Sequence, residues 1–208
     1  MGKIKLKREP KLDSKHKGFI YQGEAVKVVC EMEYAAIFHE QGLGKSKIAI
    51  DLILYWLEQK SIDTILLIVK KGLIENWKDE FKIHTHIEPR VLSQNTNINF
   101  HILNSPCRVL LAHYEVIKKE ESRLKLFLKT RNVATILDES TKIKNPDSNL
   151  TKSFFNLSLL FKKRIIMSGL PVANRPYDIW AQIYFLDQGT HLGESFSDFK
   201  QNHDFSNI

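Results

Sequence analysis

The sequence predicts an α/β domain: a mostly parallel sheet with helices on both faces. Three observations lead there. Apolar runs of strand length alternate with helix-length periodic segments along most of the 208 residues. Several of these runs, among them TILLIV (64–69), RVLLA (108–112) and VATIL (133–137), are continuous rather than alternating. Strands buried on both faces read this way. Repeated strand–helix–strand order, in turn, implies parallel crossover units with helices packed on either side.

The elements follow in order. Residues 1–18 carry seven Lys/Arg against Glu9 and Asp13, a net +5. This stretch reads either as a solvated, flexible tail or as a basic arm for nucleic-acid phosphates. The domain proper takes residues 19–208. A helix is expected at 21–31 and a strand at 34–38 (YAAIF). Periodicity then gives a helix at 45–59, the strand 64–69 and a helix at 73–84. After a short strand at 90–92, the polar segment SQNTNINFHILNS (93–105) lacks clear periodicity and reads as a surface loop. Strand 108–112, helix 114–130, strand 133–137, helix 149–159, strand 164–167 and helix 176–185 complete the pattern. The end, SFSDFKQNHDFSNI, shows no recognisable element.

Bulk properties narrow the class. The length suits one domain with a substantial core. The chain is 43% hydrophobic and 26% charged, as in ordinary soluble proteins. No apolar run approaches a membrane span and the N-terminus lacks a signal-peptide core, so no membrane partner is expected. Cys30 and Cys107 form no C-x-x-C pair, which suits a reducing, intracellular setting. The net charge of +7 sits largely in the first 18 residues, so charge alone does not make this a nucleic-acid binder.

Three strands run directly into chemically suggestive loops. In sheets of this kind, ligands bind at the carboxyl ends of the strands. The first loop is HEQGLGKS (39–46). Gly42 and Gly44 would turn backbone N–H groups toward phosphate oxygens, with Leu43 between them. A helix N-terminus adds partial positive charge, Lys45 would reach the β- and γ-phosphates, and Ser46 would coordinate Mg²⁺. His39 stands where the strict pattern has its first glycine, and a glycine turn beside a surface lysine is the competing reading. The second loop begins at Asp138-Glu139. Asp138 can hold Mg²⁺ and Glu139 can orient and deprotonate an attacking water, whereas an isolated acidic pair is usually a solvated strand end. The third is Ser168-Gly169-Leu170-Pro171, after RIIM.

Together these motifs resemble the N-terminal RecA-like lobe of superfamily-two helicases, most closely the Swi/Snf-type DNA translocases. The family loop, similar to D-E-x-G-L-G-K-T, is matched at Glu40, Gly42, Leu43, Gly44 and Lys45. The family's D-E-A-H-R-I-K-N resembles Asp138-Glu139-Ser140-Thr141-Lys142-Ile143-Lys144-Asn145, with Thr141 replacing the histidine. Its T-G-T-P-x-x-N resembles Ser168-Gly169-Leu170-Pro171-Val172-Ala173-Asn174, with one hydroxyl lost at Leu170. The likeness covers about residues 19–200.

The resemblance implies a RecA-like P-loop NTPase fold, ATP and Mg²⁺ as ligands, and double-stranded DNA as the track. It implies Lys45, Asp138 and Glu139 as catalytic residues and Gln22, beside Tyr21, at the adenine. Thr141, Ser168 and Gly169 would couple nucleotide state to movement. Lys70, Lys71, Asn76, His113 and Tyr114 would approach nucleic acid. Each of the last group also has a bland reading as a solvated loop residue or a satisfied strand end. Trp56, Trp77 and Trp180 read as packing residues, and His84 with His86 lacks the further ligands a metal site needs. A second RecA-like lobe, in cis or as a separate chain, would be needed for turnover. The chain is therefore expected to be one lobe of a motor, with little hydrolysis alone. The setting is cytoplasm or nucleoid in a bacterium or phage, and the nucleus in a eukaryote. A nucleotide-binding regulatory or assembly module, or an RNA helicase lobe, are the alternatives.

Overall fold

The computed structural model describes residues 5–172 and 175–203. Its centre is a six-stranded sheet of β1 (Tyr34–Phe38), β2 (Thr64–Val69), β3 (Arg90–Leu92), β4 (Val109–His113), β5 (Val133–Asp138) and β6 (Lys163–Ser168). The spatial order is β1-β6-β5-β2-β4-β3, and every neighbouring pair is parallel. This is the expected α/β class.

The continuous apolar runs are explained by two cores. Ile65, Leu67 and Val69 face α1 (Ile20–Val29), α2 (Lys45–Glu58) and α3 (Ile74–His84). Leu66 and Ile68, between them, face the opposite layer. That layer holds α5 (Tyr114–Lys119), α6 (Glu121–Thr130), α7 (Asn149–Ser158) and α8 (Trp180–Asp187). Successive strand side chains point to opposite faces, so both alternating sets must be apolar when helices cover both sides.

Three sequence expectations are corrected. Residues 93–105 are not a plain loop: α4 (Thr96–Leu103) forms there, with the Asn95 side chain accepting from the N–H groups of Asn97 and Ile98. This is a standard N-cap, and its Asn/Thr-rich sequence hides the helix from periodicity. The single helix expected at 114–130 is two, α5 and α6, broken at Glu120. Glu120 is buried and accepts from Asn99 Nδ2 (2.9 Å) and Arg123 Nη1 (3.0 Å), tying the break to α4. Near the C-terminus, α9 (Phe196–His203) forms where no element was expected.

The basic N-terminal stretch is held at several points. Lys15 N–H donates to the His84 carbonyl at 2.9 Å, and Arg108 Nε donates to Glu9 at 2.9 Å. Among the described residues no helix is long and apolar enough to cross a membrane.

Candidate active site

The site is assembled by strand register. Phe38 of β1 pairs with Ser168 of β6, and Met167 of β6 pairs with Asp138 of β5. Parallel neighbours about 5 Å apart therefore deliver all three loops to one edge of the sheet. The expected meeting of the glycine loop, the acid and the Ser-Gly turn is realised.

In the first loop, Gly42 (φ +84°) and Gly44 (φ +66°) occupy left-handed backbone that strains other residues. Gly44 is also the N-cap of α2, and a Cβ there would lie 2.2 Å from Gln22 Nε2. Glycine is thus required twice over. His39, by contrast, has no left-handed backbone, so the departure from the strict pattern carries no strain. Helix α2 buries Ile48, Ala49, Ile50, Leu52 and Ile53 completely, which anchors the loop. The first turn of such a helix presents unpaired N–H groups outward. Lys45 Nζ folds back to donate to the carbonyls of His39 (2.8 Å) and Glu40 (3.0 Å), and buried His39 Nδ1 has no partner.

Gln22 is buried and works on this loop. Its Oε1 accepts from Phe19 N–H at 2.8 Å, and its Nε2 lies 3.3 Å from the Gly44 carbonyl. Tyr21 donates its hydroxyl to the Leu43 carbonyl at 3.1 Å.

Asp138 ends β5 at 8% exposure. Its Oδ2 accepts from Trp77 Nε1 at 2.9 Å, and its backbone carbonyl accepts from the Tyr114 hydroxyl at 2.7 Å. Burial pushes its carboxyl above the ordinary range and the Glu139 charge adds to this. The Trp77 N–H and the Lys45 ammonium work the other way, so Lys45 and Asp138 share one electrostatic field. Glu139 has left-handed backbone, φ and ψ both 54°, a strained state for a non-glycine residue. Lys70 Nζ stands 3.5 Å from its Oε2.

Ser168 is fully buried, and its Oγ accepts from Leu170 N–H at 3.2 Å. At Gly169 a Cβ would approach Gln41 Cγ to 3.1 Å, so this bare position lets the turn rest on the glycine loop. Thr141 lies in the short 3₁₀ turn Ser140–Ile143, just beyond the carboxylates. Val172 is described, while Ala173 and Asn174 of that motif lie outside the described residues.

The residues expected at nucleic acid divide. Lys71 and Asn76 are exposed near the start of α3, and Lys70 is half-buried against Glu139. Tyr114 requires correction: it is completely buried against Phe154 and supports Asp138 from beneath, so no strand can touch it. His113 is also corrected. At 6% exposure it is held between Glu115 (2.7 Å) and Gln94 (3.4 Å), as a satisfied strand end.

Sequence reasoning missed two residues. From sequence Trp77 reads as a packing residue, yet its indole N–H fixes Asp138. Gln182 carried no signal, yet it joins the second and third loops. Both contacts span long sequence separations, 61 and 42 residues, so no local pattern marks them.

Among the described residues no group of three or more His, Cys, Asp or Glu could hold a metal. Mg²⁺ does not ask for one: it takes one or two protein oxygens together with phosphate oxygens and water. Ser46 and Asp138 fit that demand.

The fold and this edge are those of a RecA-like P-loop domain. The family model described as "SNF2-related domain" matches residues 21–207, and the chain belongs to that family. It is similar to "Probable ATP-dependent DNA helicase CHR23" of Arabidopsis thaliana, 29% identical over 168 residues, covering 78% of this chain and 15% of the relative. It is also similar to "Nuclear protein STH1/NPS1" of Saccharomyces cerevisiae, 33% identical over 155 residues, covering 71% and 11%. Among solved structures, the Sulfolobus solfataricus SWI2/SNF2 ATPase core in complex with dsDNA shares the fold. Its TM-score is 0.75 at 23% identity, over 91% of this chain and 39% of that one. The chain thus spans about one-seventh of the length of CHR23.

Proposed function

We propose that this chain is the ATP-binding lobe of a DNA-dependent ATPase that moves on double-stranded DNA. The observation that carries it is the convergence at one sheet edge of left-handed Gly42 and Gly44 with Lys45, buried Asp138, and the Gly169 turn seated on the glycine loop. A relative named "Probable ATP-dependent DNA helicase CHR23" supports the activity and the choice of DNA.

In this reading Gly42–Ser46 hold the phosphates, Lys45 exchanging its two loop carbonyls for phosphate oxygens. Ser46 and Asp138 hold Mg²⁺, which supplies charge neutralisation on the transferring phosphoryl group. Glu139 orients and deprotonates the attacking water. Gln22 and Tyr21, already bound to Leu43 and Gly44, place the adenine beside the loop. Lys71 and Asn76 offer exposed donors for backbone phosphates. Lys70 is shared between that surface and Glu139. Its side chain is 42% exposed, and such half-exposed pairs are worth no more than about 1 kcal/mol, so a phosphate can compete for it. The catalytic partner is a second RecA-like lobe, in cis or as a separate chain. By the family resemblance that lobe carries arginine fingers, which are worth roughly 10³–10⁵ in turnover in other nucleotide hydrolases, so the 208-residue chain alone hydrolyses ATP very slowly.

Calorimetric titration with Mg-ATP tests the reading. The parent binds and Lys45→Ala loses at least about a hundredfold in affinity, equivalent to ~3 kcal/mol. Glu139→Gln keeps the parent's affinity. Equal binding by the parent and Lys45→Ala overturns the phosphate-loop assignment.

A further inference from the structure

The family's usual histidine after the acidic pair is absent here, and the chain has Thr141 instead. The structure shows a different connection between the second and third loops. Ser140, the residue after Glu139, donates its hydroxyl to Gln182 Oε1 at 2.7 Å. Gln182 Nε2 donates to the Pro171 carbonyl at 2.7 Å and to the Asp178 carbonyl at 2.9 Å. Ser140 and Gln182 are both 0% exposed. A side-chain amide offers one carbonyl and two N–H groups, and here all three are in use. The bridge is therefore directional and fully satisfied, in a position on apolar α8 where hydrophobic packing alone would serve the core.

We infer that Gln182 is a positioning residue that fastens the Ser168–Pro171 turn to the carboxylate turn, and so carries the metal state of Asp138 to that surface. The inference rests on the nucleotide-site reading above. The turn is braced on two sides. Gly169 rests on Gln41 of the phosphate loop, and Pro171 hangs from Gln182. Between and beyond these braces, Leu170 and Val172 are 66% and 45% exposed. A shift of the phosphate loop reaches the turn through Gly169. A shift of Asp138–Ser140 reaches it through Gln182. The two inputs are separable because Gln182 lies on the second path alone: Mg²⁺ on Ser46 acts through the phosphate loop and Gly169, and Mg²⁺ on Asp138 acts through Ser140 and Gln182.

Hydrogen exchange read by mass spectrometry over residues 168–172 tests this, on the full 208-residue chain with saturating ADP, with and without Mg²⁺. In the parent, Mg²⁺ changes the exchange rate of this segment by about threefold, the coupling expected of a packed network. In Gln182→Leu, and in Gln182→Met, which fills the same space without donors for Pro171, that Mg²⁺-dependent step falls by at least about half while the effect of ADP alone remains. Ser140→Ala, the mildest change, gives the same loss and guards against a Gln182 variant that fails to fold. A Mg²⁺-dependent step that survives undiminished in the folded variants overturns the role of Gln182. A parent that binds no ADP overturns the functional reading, and the inference with it.

Discussion

The two ends of the same sheet treat charge in opposite ways. At the amino end of β6, Arg164 is 2% exposed and donates to the carbonyls of Leu186 (2.8 Å), Ser158 (3.2 Å) and Phe161 (3.4 Å), and to Glu33 (2.9 Å). Nearby, Arg108 is held by Glu9 and by the Asp63 carbonyl, and Asn132 N–H by Asp63. At the carboxyl end, Lys45 rests on two loop carbonyls and half-exposed Lys70 on Glu139. The first set centres on buried Arg164 and its buried carbonyl partners, with the Glu33 and Glu9 carboxylates at the rim. The second is shallow and open to exchange. One edge holds the fold together, and the other is left ready for a ligand.

Mutating the two edges should separate stability from binding. The largest effect on folding is expected at Arg164→Met, which removes the side-chain donor from the buried carbonyls of Leu186 and Phe161, while that of Ser158 keeps the Phe161 N–H. At roughly 1–3 kcal/mol for each unsatisfied group, the loss is about 2 kcal/mol or more, read by urea unfolding. Nucleotide affinity of the folded protein stays unchanged. A binding defect at Arg164→Met, or a stability loss of that size at Lys45→Ala, breaks the comparison.

Trp77→Phe belongs to both edges' logic. It keeps an aromatic ring in the core but removes the N–H on buried Asp138. Stability should fall by about 1–2 kcal/mol. The Asp138 carboxyl, already raised by burial, should rise further, so Mg²⁺-dependent nucleotide binding weakens severalfold when read by titration at fixed pH. Unchanged Mg²⁺ dependence would reduce Trp77 to packing.

These residues also show what sequence can reveal. The central strands β2, β4, β5 and β6 were legible because each is an apolar run covered on both faces, and the partly exposed edge strands β1 and β3 because short apolar stretches remain in them. Their ends were not. His113 and Lys163 belong to the ladders, through Val69 and Ala134, although polar side chains suggested the strands stopped short. Helix α4 was illegible because a local Asn95 cap and the Asn99–Glu120 bond make it, rather than an apolar stripe. The three site loops were legible because their demands are local: glycine for left-handed backbone, an acid at a strand end. Trp77, Gln182 and the burial of Tyr114 depend on contacts across the fold, and no spacing encodes them.

The smallest effect is expected at Glu9→Gln. The hydrogen bond from Arg108 holds the Glu9 carboxyl below its usual 4.5. Its contribution is therefore present above that value and is lost as pH falls through the lowered one. Half-exposed pairs of this kind are worth about 1 kcal/mol or less. Thermal melts of parent and variant should differ slightly at neutral pH and converge in acid. A difference that persists in acid would place the effect in packing rather than charge.

The central claim is that the glycine loop and the buried acid serve one metal–nucleotide complex. Anomalous diffraction from crystals grown with Mn²⁺ and a non-hydrolysable ATP analogue tests it most directly. The account predicts a manganese peak held between the Ser46 hydroxyl and Asp138, with the phosphates on Gly42–Lys45. A nucleotide bound elsewhere, or a metal peak remote from Asp138, would contradict it.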